Sequence, residues 1–328
     1  MFRFNRHWTR CLMLIGAITL AGCDQASDHT EAQNKAAPTD STYTPISVTH
    51  HLGTTVIDHP PQRVVALDMN EVDFLDELGV PVAGMPKDFI PHFLAQYEEN
   101  EAVLDTGAIV QPNLERVYAA KPDLILITSL QAQHYQELSE IAPTLHFDVD
   151  YRDSHVKHIE VVKEHLITLG KIFNKESLAQ QKAKALDEKV EDAKRQIQDR
   201  PEKALIILHN NGAFSSFSIQ SRYGFVFNDL GVKPASEALE TGLHGQPVSS
   251  EFIQQTDPDI IYIVDRTAVM EGRPALNAQQ LSNPLLKETK AWKNGRVVFV
   301  DAQAWYVTAA SVKSLNIIID DVLKGFNE

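Results

Sequence analysis

The sequence predicts an α/β protein of two similar lobes, each built on a central parallel sheet. One long rigid helix joins them and leaves a ligand cleft between them. Three observations carry this. Short apolar runs, such as Leu124-Ile125-Leu126-Ile127 and Ile260-Ile261-Tyr262-Ile263-Val264, alternate with helix-period segments, as parallel strands covered on both faces do. Lys175 to Asp199 reads as a single amphipathic helix. The pattern ahead of that helix is echoed behind it.

The joining helix rests on Leu178, Ala179, Ala183, Leu186, Val190, Ala193 and Ile197, which recur at three- and four-residue steps between charged and polar residues. No Gly or Pro interrupts them until Pro201. At about 1.5 Å per residue the segment spans roughly 35 to 40 Å, the breadth of a small domain.

The chain begins with a targeting segment. Arg3, Arg6, His7 and Arg10 form a basic stretch ahead of an apolar run from Cys11 to Ala21, which is short for a membrane-spanning helix. The run ends in Leu20-Ala21-Gly22-Cys23, which resembles a bacterial lipobox, a signal cleaved before a Cys that then carries lipid. Residues 1–22 are therefore expected to be a signal peptide, with Cys23 lipidated and residues 23–43 a flexible tether. Asp24 after the Cys resembles the inner-membrane retention signal of Gram-negative lipoproteins, which places the protein on the periplasmic side of that membrane. Residues 1–22 contain three Arg and no acid, so the formal charge of −14 becomes −17 in the mature chain. That balance argues against nucleic acid as a partner. Cys11 leaves with the signal, so Cys23 has no second Cys to pair with.

The N-terminal lobe is read as residues 44–174. Val64 to Leu67 is a strand, and a helix through Val72, Leu75 and Leu78 stops at Gly79. Val80 to Met85 is a second strand. Asn113 to Ala120 is a helix that leads through Pro122-Asp123 into the strand Leu124 to Ile127. A further helix ends at Ile141, and Thr144 to Phe147 is the next strand.

The C-terminal lobe, residues 200–328, repeats this grammar. It has a strand at Ala204 to Leu208, a helix at Tyr223 to Leu230 stopped by Gly231, and a helix at Ser249 to Gln255. Pro258-Asp259 leads into Ile260 to Val264. Val297 to Val300 is the last strand and Ser311 to Phe326 the closing helix. Leu78-Gly79-Val80 matches Leu230-Gly231-Val232. Glu115 and Glu251 each stand seven residues ahead of a Pro-Asp pair. A chain of 328 residues supports two lobes with a core each, and clefts between lobes are where ligands bind.

An exported lipoprotein of this organisation resembles the substrate-binding proteins of ABC importers for siderophores, haem and cobalamin, from about Pro45 to the C-terminus. Four short pieces resemble the ferric catecholate subgroup: Ser221-Arg222-Tyr223, Leu243-His244-Gly245, Val264-Asp265-Arg266 and Trp305-Tyr306. The resemblance implies a binding protein and not an enzyme, with no intrinsic cofactor, a ferric siderophore as ligand, and an ABC permease as partner. It also implies that Arg222 and Arg266 meet the anionic chelate while His244 and Tyr306 bind Fe(III). The protein is expected to act as a monomer. Importers of this class dock through one surface Glu on each lobe, which Glu115 and Glu251 would supply. A carboxylate at a helix N-terminus is also stabilised by the helix itself, which is a sufficient structural reason for both.

The chemistry of the four residues agrees with that implication. Fe(III) favours anionic oxygen, which a Tyr phenolate supplies, and a neutral imidazole is a further donor. Two catecholates give four oxygens, so one His and one Tyr complete six-coordination. Arg offers planar charge-assisted hydrogen bonds to catecholate oxygen. Each residue also has a plainer reading: a solvated loop His, an aromatic pair at a strand end, an Arg capping its helix, an Arg paired beside Asp265. His50-His51 and His155-Val156-Lys157-His158 have no ligand partners at metal spacing and are read as surface.

One position departs from the subgroup. Leu130, in Thr128-Ser129-Leu130-Gln131, stands where an Arg is usual. The missing cation points to a bis-catecholate, a mixed catecholate ligand or a less anionic siderophore. Haem, cobalamin or another metal chelate are the alternatives within the class. A lipid-anchored metallohydrolase is a further one, although no H-E-x-x-H is present.

Overall fold

The computed structural model describes residues 43–153, 157–236, 242–281 and 283–327. Cys23, residues 24–42 of its tether, and His155-Val156 lie outside the described residues. Tyr43 to the C-terminus forms one compact unit.

The N-terminal half opens with an antiparallel hairpin, β1 (Ile46–His50) and β2 (Gly53–Ile57). The Thr55 hydroxyl donates to the Thr144 carbonyl at 2.6 Å and fastens the hairpin to the lobe. The strands β3 (Val64–Ala66), β4 (Val82–Met85) and β5 (Leu104–Asp105) follow, then a small ribbon of β6 (Gly107–Ala108) and β7 (Gln111–Pro112). With β8 (Leu124–Ile127) and β9 (Thr144–His146) they form an all-parallel sheet in the order β5-β4-β3-β8-β9, the ribbon standing apart. The helices of this half are α1 (Met69–Glu77), α2 (Leu114–Ala119), α3 (Tyr135–Ile141) and α4 (His158–Ile172). The hairpin and α4 are not among the sequence-based expectations.

The long helix α5 runs over Glu176–Ile197 and buries Ala179, Ala183, Leu186, Val190, Ala193 and Ile197. It packs along α4 on one side and along the closing helix on the other. Truncating Leu186 to Ala would cost about 2–5 kcal/mol, because a cavity would open where both lobes meet.

The C-terminal sheet holds β10 (Lys203–Asn210), β11 (Ala213–Phe217), β12 (Lys233–Pro234), β13 (Gln246–Val248), β14 (Ile260–Asp265) and β15 (Val297–Phe299). Its order is β13-β11-β10-β14-β15, with β12 beside β10. Strands β10, β12, β14 and β15 pair in parallel, but β11 and β13 pair antiparallel. The parallel sheet expected here is therefore mixed, because the tight Asn211-Gly212 turn returns the chain directly beside β10. Its helices are α6 (Gly224–Asn228), α7 (Ser250–Thr256), α8 (Arg266–Glu271), α9 (Pro284–Lys287), α10 (Lys290–Lys293) and α11 (Val312–Lys324).

The lobes do not keep separate cores. One apolar cluster runs from Ile57 through Leu75, Leu166, Leu186 and Ile206 to Phe326, crossing both lobes through α4, α5 and α11. Only the outer face of each sheet has a cluster of its own, around Ile125 in the first lobe and Ile261 in the second. Polar bonds reinforce the junction. The Ala310 N–H donates to Asn70 Oδ1 at 2.9 Å and the Lys313 N–H to Asp73 Oδ2 at 2.8 Å. Lys182 pairs with Glu77 and Lys313 with Asp76. Near them, burial raises the Asp73 carboxyl to about 7, despite hydrogen bonds from Ser311 and Lys313 that favour its charge.

Candidate functional site

The ends of the strands decide where the site lies. In parallel sheets the carboxyl ends of strands open onto loops whose backbone groups are free to meet a ligand. Here β3 runs into Asp68 and Asn70, β8 into Thr128, Ser129 and Leu130, and β14 into Arg266. All of them line one cleft of about 370 Å³.

Arg222, His244, Arg266 and Tyr306 come from four separate segments and all line this cleft. Trp305 and Tyr306 sit on a turn of π-helix, Gln303–Thr308, not at a strand end. Such turns are rare and cluster at functional sites. Trp305 is fully buried; its indole N–H donates to Asp321 Oδ2 at 3.0 Å, and the Tyr223 hydroxyl donates to its carbonyl at 2.9 Å. With Trp305 anchored in the core, its half-buried neighbour Tyr306 is left for the cleft.

Two arginines hold Tyr306. Arg266 Nε donates to the phenol oxygen at 2.7 Å, and an Arg222 terminal nitrogen donates to the Tyr306 carbonyl at 2.9 Å. Both guanidinium carbons lie within 6 Å of the Tyr306 ring, at 5.7 and 5.5 Å. Arg266 also reaches Asn210 Oδ1 at 3.1 Å. Asp265 does not pair with Arg266. Its carboxylate takes His209, Arg273 and the Ala268 N–H instead. Neither Arg222 nor Arg266 forms a salt bridge among the described residues.

His244 is exposed on the cleft side, its ring 6.1 Å from that of Tyr306 and inclined by only 21°. Burial, then the charges of Arg222 and Arg266, lower its pKa, so the imidazole is held neutral with a lone pair available. Gly245 completes the turn at φ +72°, where a Cβ would come within 2.6 Å of the Ser216 carbonyl oxygen. A side chain there would push His244 out of place.

Leu130 lines the cleft as well, so the position where the resemblance implied a cation belongs to the site. Glu115 and Glu251 are elsewhere, exposed in the first turns of α2 and α7, whose caps are Asn113 and Ser249. The helix backbone N–H, then the Ser249 hydroxyl, lower the Glu251 pKa.

Two of the histidines read as surface are not. His158 is buried at the cleft and bonds the Ala309 carbonyl through Nε2 at 2.8 Å. Burial lowers it to about 4, so it is a neutral donor. His50 is half-buried, its ring edge-on to Tyr135 at 5.5 Å. His51 is exposed. Sequence reasoning also passed over His165, stacked on Phe147 at 4.4 Å and lowered to about 3, mainly by burial. The available signal was position: His158 and His165 fall on the same stripe as Val162, Leu166 and Leu169. Among the described residues no group of three or more His, Cys, Asp or Glu could hold a bare metal ion. No helix among them is long and apolar enough to cross a membrane.

Residues 64–304 match the periplasmic binding protein family. The chain belongs to that family. It is 55% identical over 326 residues to the ferric-anguibactin-binding protein FatB of Vibrio anguillarum, covering 99% of each chain. Among solved structures it is similar to the siderophore-binding protein BauB, bound to a complex between two molecules of acinetobactin and ferric iron. The identity is 63% and the TM-score 0.83, over 87% of this chain and 99% of that one. The periplasmic catecholate-siderophore-binding protein VctP from Vibrio cholerae follows at 28% identity and a TM-score of 0.80, over 85% and 99% of the two chains. These relatives are binding proteins, and family membership makes this chain a binding protein of the periplasm.

Proposed function

We propose that the protein captures a ferric siderophore of the catecholate type in this cleft and delivers it to the permease of an ABC importer for iron uptake. One observation carries the reading. Two arginines free of salt bridges among the described residues, a neutral imidazole and a phenol converge on one cleft from four distant segments. The similarity to FatB, named for ferric anguibactin, and to BauB, bound to acinetobactin and ferric iron, supports the ligand class. A chelate that leaves two positions of Fe(III) open takes His244 and Tyr306 there, while Arg222 and Arg266 meet its negative charge. Leu130 favours a ligand of low charge, a bis-catecholate or a mixed catecholate.

The test is the charge-transfer band of protein loaded with a ferric bis-catecholate. Tyr306→Phe keeps the ring and removes the oxygen, so it should shift the band and weaken binding about tenfold. Unchanged spectra in both Tyr306→Phe and His244→Ala would leave the iron held by the siderophore alone.

Glu115 and Glu251 supply the docking contacts in this reading, one for each lobe. Both are exposed, and each is fixed on a capped helix of its own lobe. Glu115→Ala with Glu251→Ala should leave ligand affinity intact and reduce siderophore uptake by cells. Normal uptake in the double variant would remove the role. Cys23 carries the lipid anchor that holds the protein, as a monomer, at the periplasmic face of the inner membrane. An unmodified Cys23 in the mass spectrum of the mature protein would remove the anchor.

A further inference from the structure

The cleft is polarised. Every charged side chain that the N-terminal lobe contributes to its described lining is an acid: Asp68, Glu71 or Asp148. The C-terminal lobe contributes only Arg222 and Arg266. Two of the acids have ordinary explanations. Asp68 caps α1, accepting from the Asn70 N–H at 2.9 Å, the Asn70 amide at 2.7 Å and the Thr128 hydroxyl at 3.2 Å. Asp148 is accessible to solvent and accepts a hydrogen bond from the Ser129 side chain.

Glu71 has none. It is 1% exposed, and its Oε2 meets no hydrogen-bond partner. A Glu three residues past a helix cap often bonds back to the cap backbone, yet this oxygen takes part in no such bond. A buried carboxyl oxygen without a donor is costly, and at the wall of a binding cleft a ligand is the missing donor.

We propose that Glu71 receives a protonated nitrogen on an arm of the siderophore, while the anionic iron centre faces Arg222 and Arg266. The ligand is thus a dipolar chelate, negative at the metal and positive at a distance from it. This rests on the ferric-siderophore reading above and adds the second pole of the ligand.

Burial, and then the charge of Asp68, raise the Glu71 pKa well above the usual carboxylate range, which favours the protonated carboxyl in the free protein. A cation arriving at hydrogen-bond distance favours the carboxylate. The Glu71 O–H bond breaks, its proton passes to solvent, and an N⁺–H···O⁻ bond replaces it. The other titratable or charged groups at this end are Asp68 and Asp73 on or beside α1, Arg222 from the opposite wall, and the neutral His158 and His165 of α4.

Two ferric bis-catecholates on the same spacer, one bearing a primary amine and the other a methyl group, test this. Calorimetric titration in two buffers of different ionisation enthalpy reads both affinity and proton release. Wild-type protein should prefer the amine chelate about tenfold and release protons on binding it. Glu71→Gln, neutral and of equal size, should lose the preference and the proton release. Arg266→Gln should weaken both chelates alike. Equal affinity of the wild type for the two chelates, or a preference that survives Glu71→Gln, overturns the proposal and leaves the siderophore reading intact. Failure of the wild type to bind either chelate overturns both. Thermal unfolding of Glu71→Gln checks that it folds; should it not, the wild-type preference and proton count decide alone.

Discussion

In the N-terminal lobe the Asp123 carboxylate accepts the Gln62 and Arg63 N–H groups at 2.7 and 2.8 Å. In the C-terminal lobe Asp259 accepts the Lys203 N–H at 3.0 Å. Each acid follows a proline, and each ties the start of a strand to its parallel neighbour. The glycines after α1 and α6 agree too, Gly79 at φ +63° and Gly231 at φ +81°. Around the cleft the likeness stops. The first lobe offers the cleft acids and Leu130; the second offers two arginines, an imidazole and a phenol. Strand starts and turns are repeated because both lobes must satisfy the same backbone groups. The residues around the cleft carry no such duty and are free to diverge, and the two arginines, the imidazole and the phenol all stand on one wall.

The largest effect expected from breaking this asymmetry comes from the basic wall. Arg222→Gln with Arg266→Gln should weaken a ferric bis-catecholate about a hundredfold, since each loses a charge-assisted contact. Fluorescence titration measures it; a loss below about threefold would place the chelate elsewhere.

The lobes also differ in how they bury histidine, and acid should separate them. His209 of the second lobe contacts Asp265 at 3.0 Å. His146, His158 and His165 of the first half are lowered to about 4, 4 and 3, mainly by burial. For each, the unfolded chain takes up a proton below about 6.5 while the folded protein refuses it until near 4 or 3. Stability is therefore unaffected above that upper value and lost as pH falls through the window, by on the order of a few kcal/mol. His165→Phe keeps the stack on Phe147 and removes one such proton. Its drop in melting temperature between pH 7 and pH 4.5 should be visibly smaller than that of the wild type; an equal drop would contradict this account.

The smallest effect restores a cation to the acidic wall. Leu130→Arg should favour a ferric tris-catecholate over a bis-catecholate by about fivefold, or roughly 1 kcal/mol in a partly wet cleft. Competition between the two chelates reads it, and equal effects on both would mean that position 130 misses the metal centre.

By itself the sequence determined most of the local elements and singled out four side chains that the fold brings to one cleft. A short continuous apolar run reports a strand covered on both faces, and Leu124 to Ile127, buried throughout, was legible for that reason. Spacing does not report what does the covering. His158 looked like part of a polar surface run, and only the packing of α4 beside the Ala309 carbonyl makes it a buried donor. Glu71 reads as an ordinary first-turn acid until the fold closes around it and leaves one oxygen without a partner. The shared core was hidden in the same way, because an apolar stripe is the same whether it covers one lobe or two. Tertiary structure decided these points, since burial of a polar group depends on groups far along the chain that no local pattern contains.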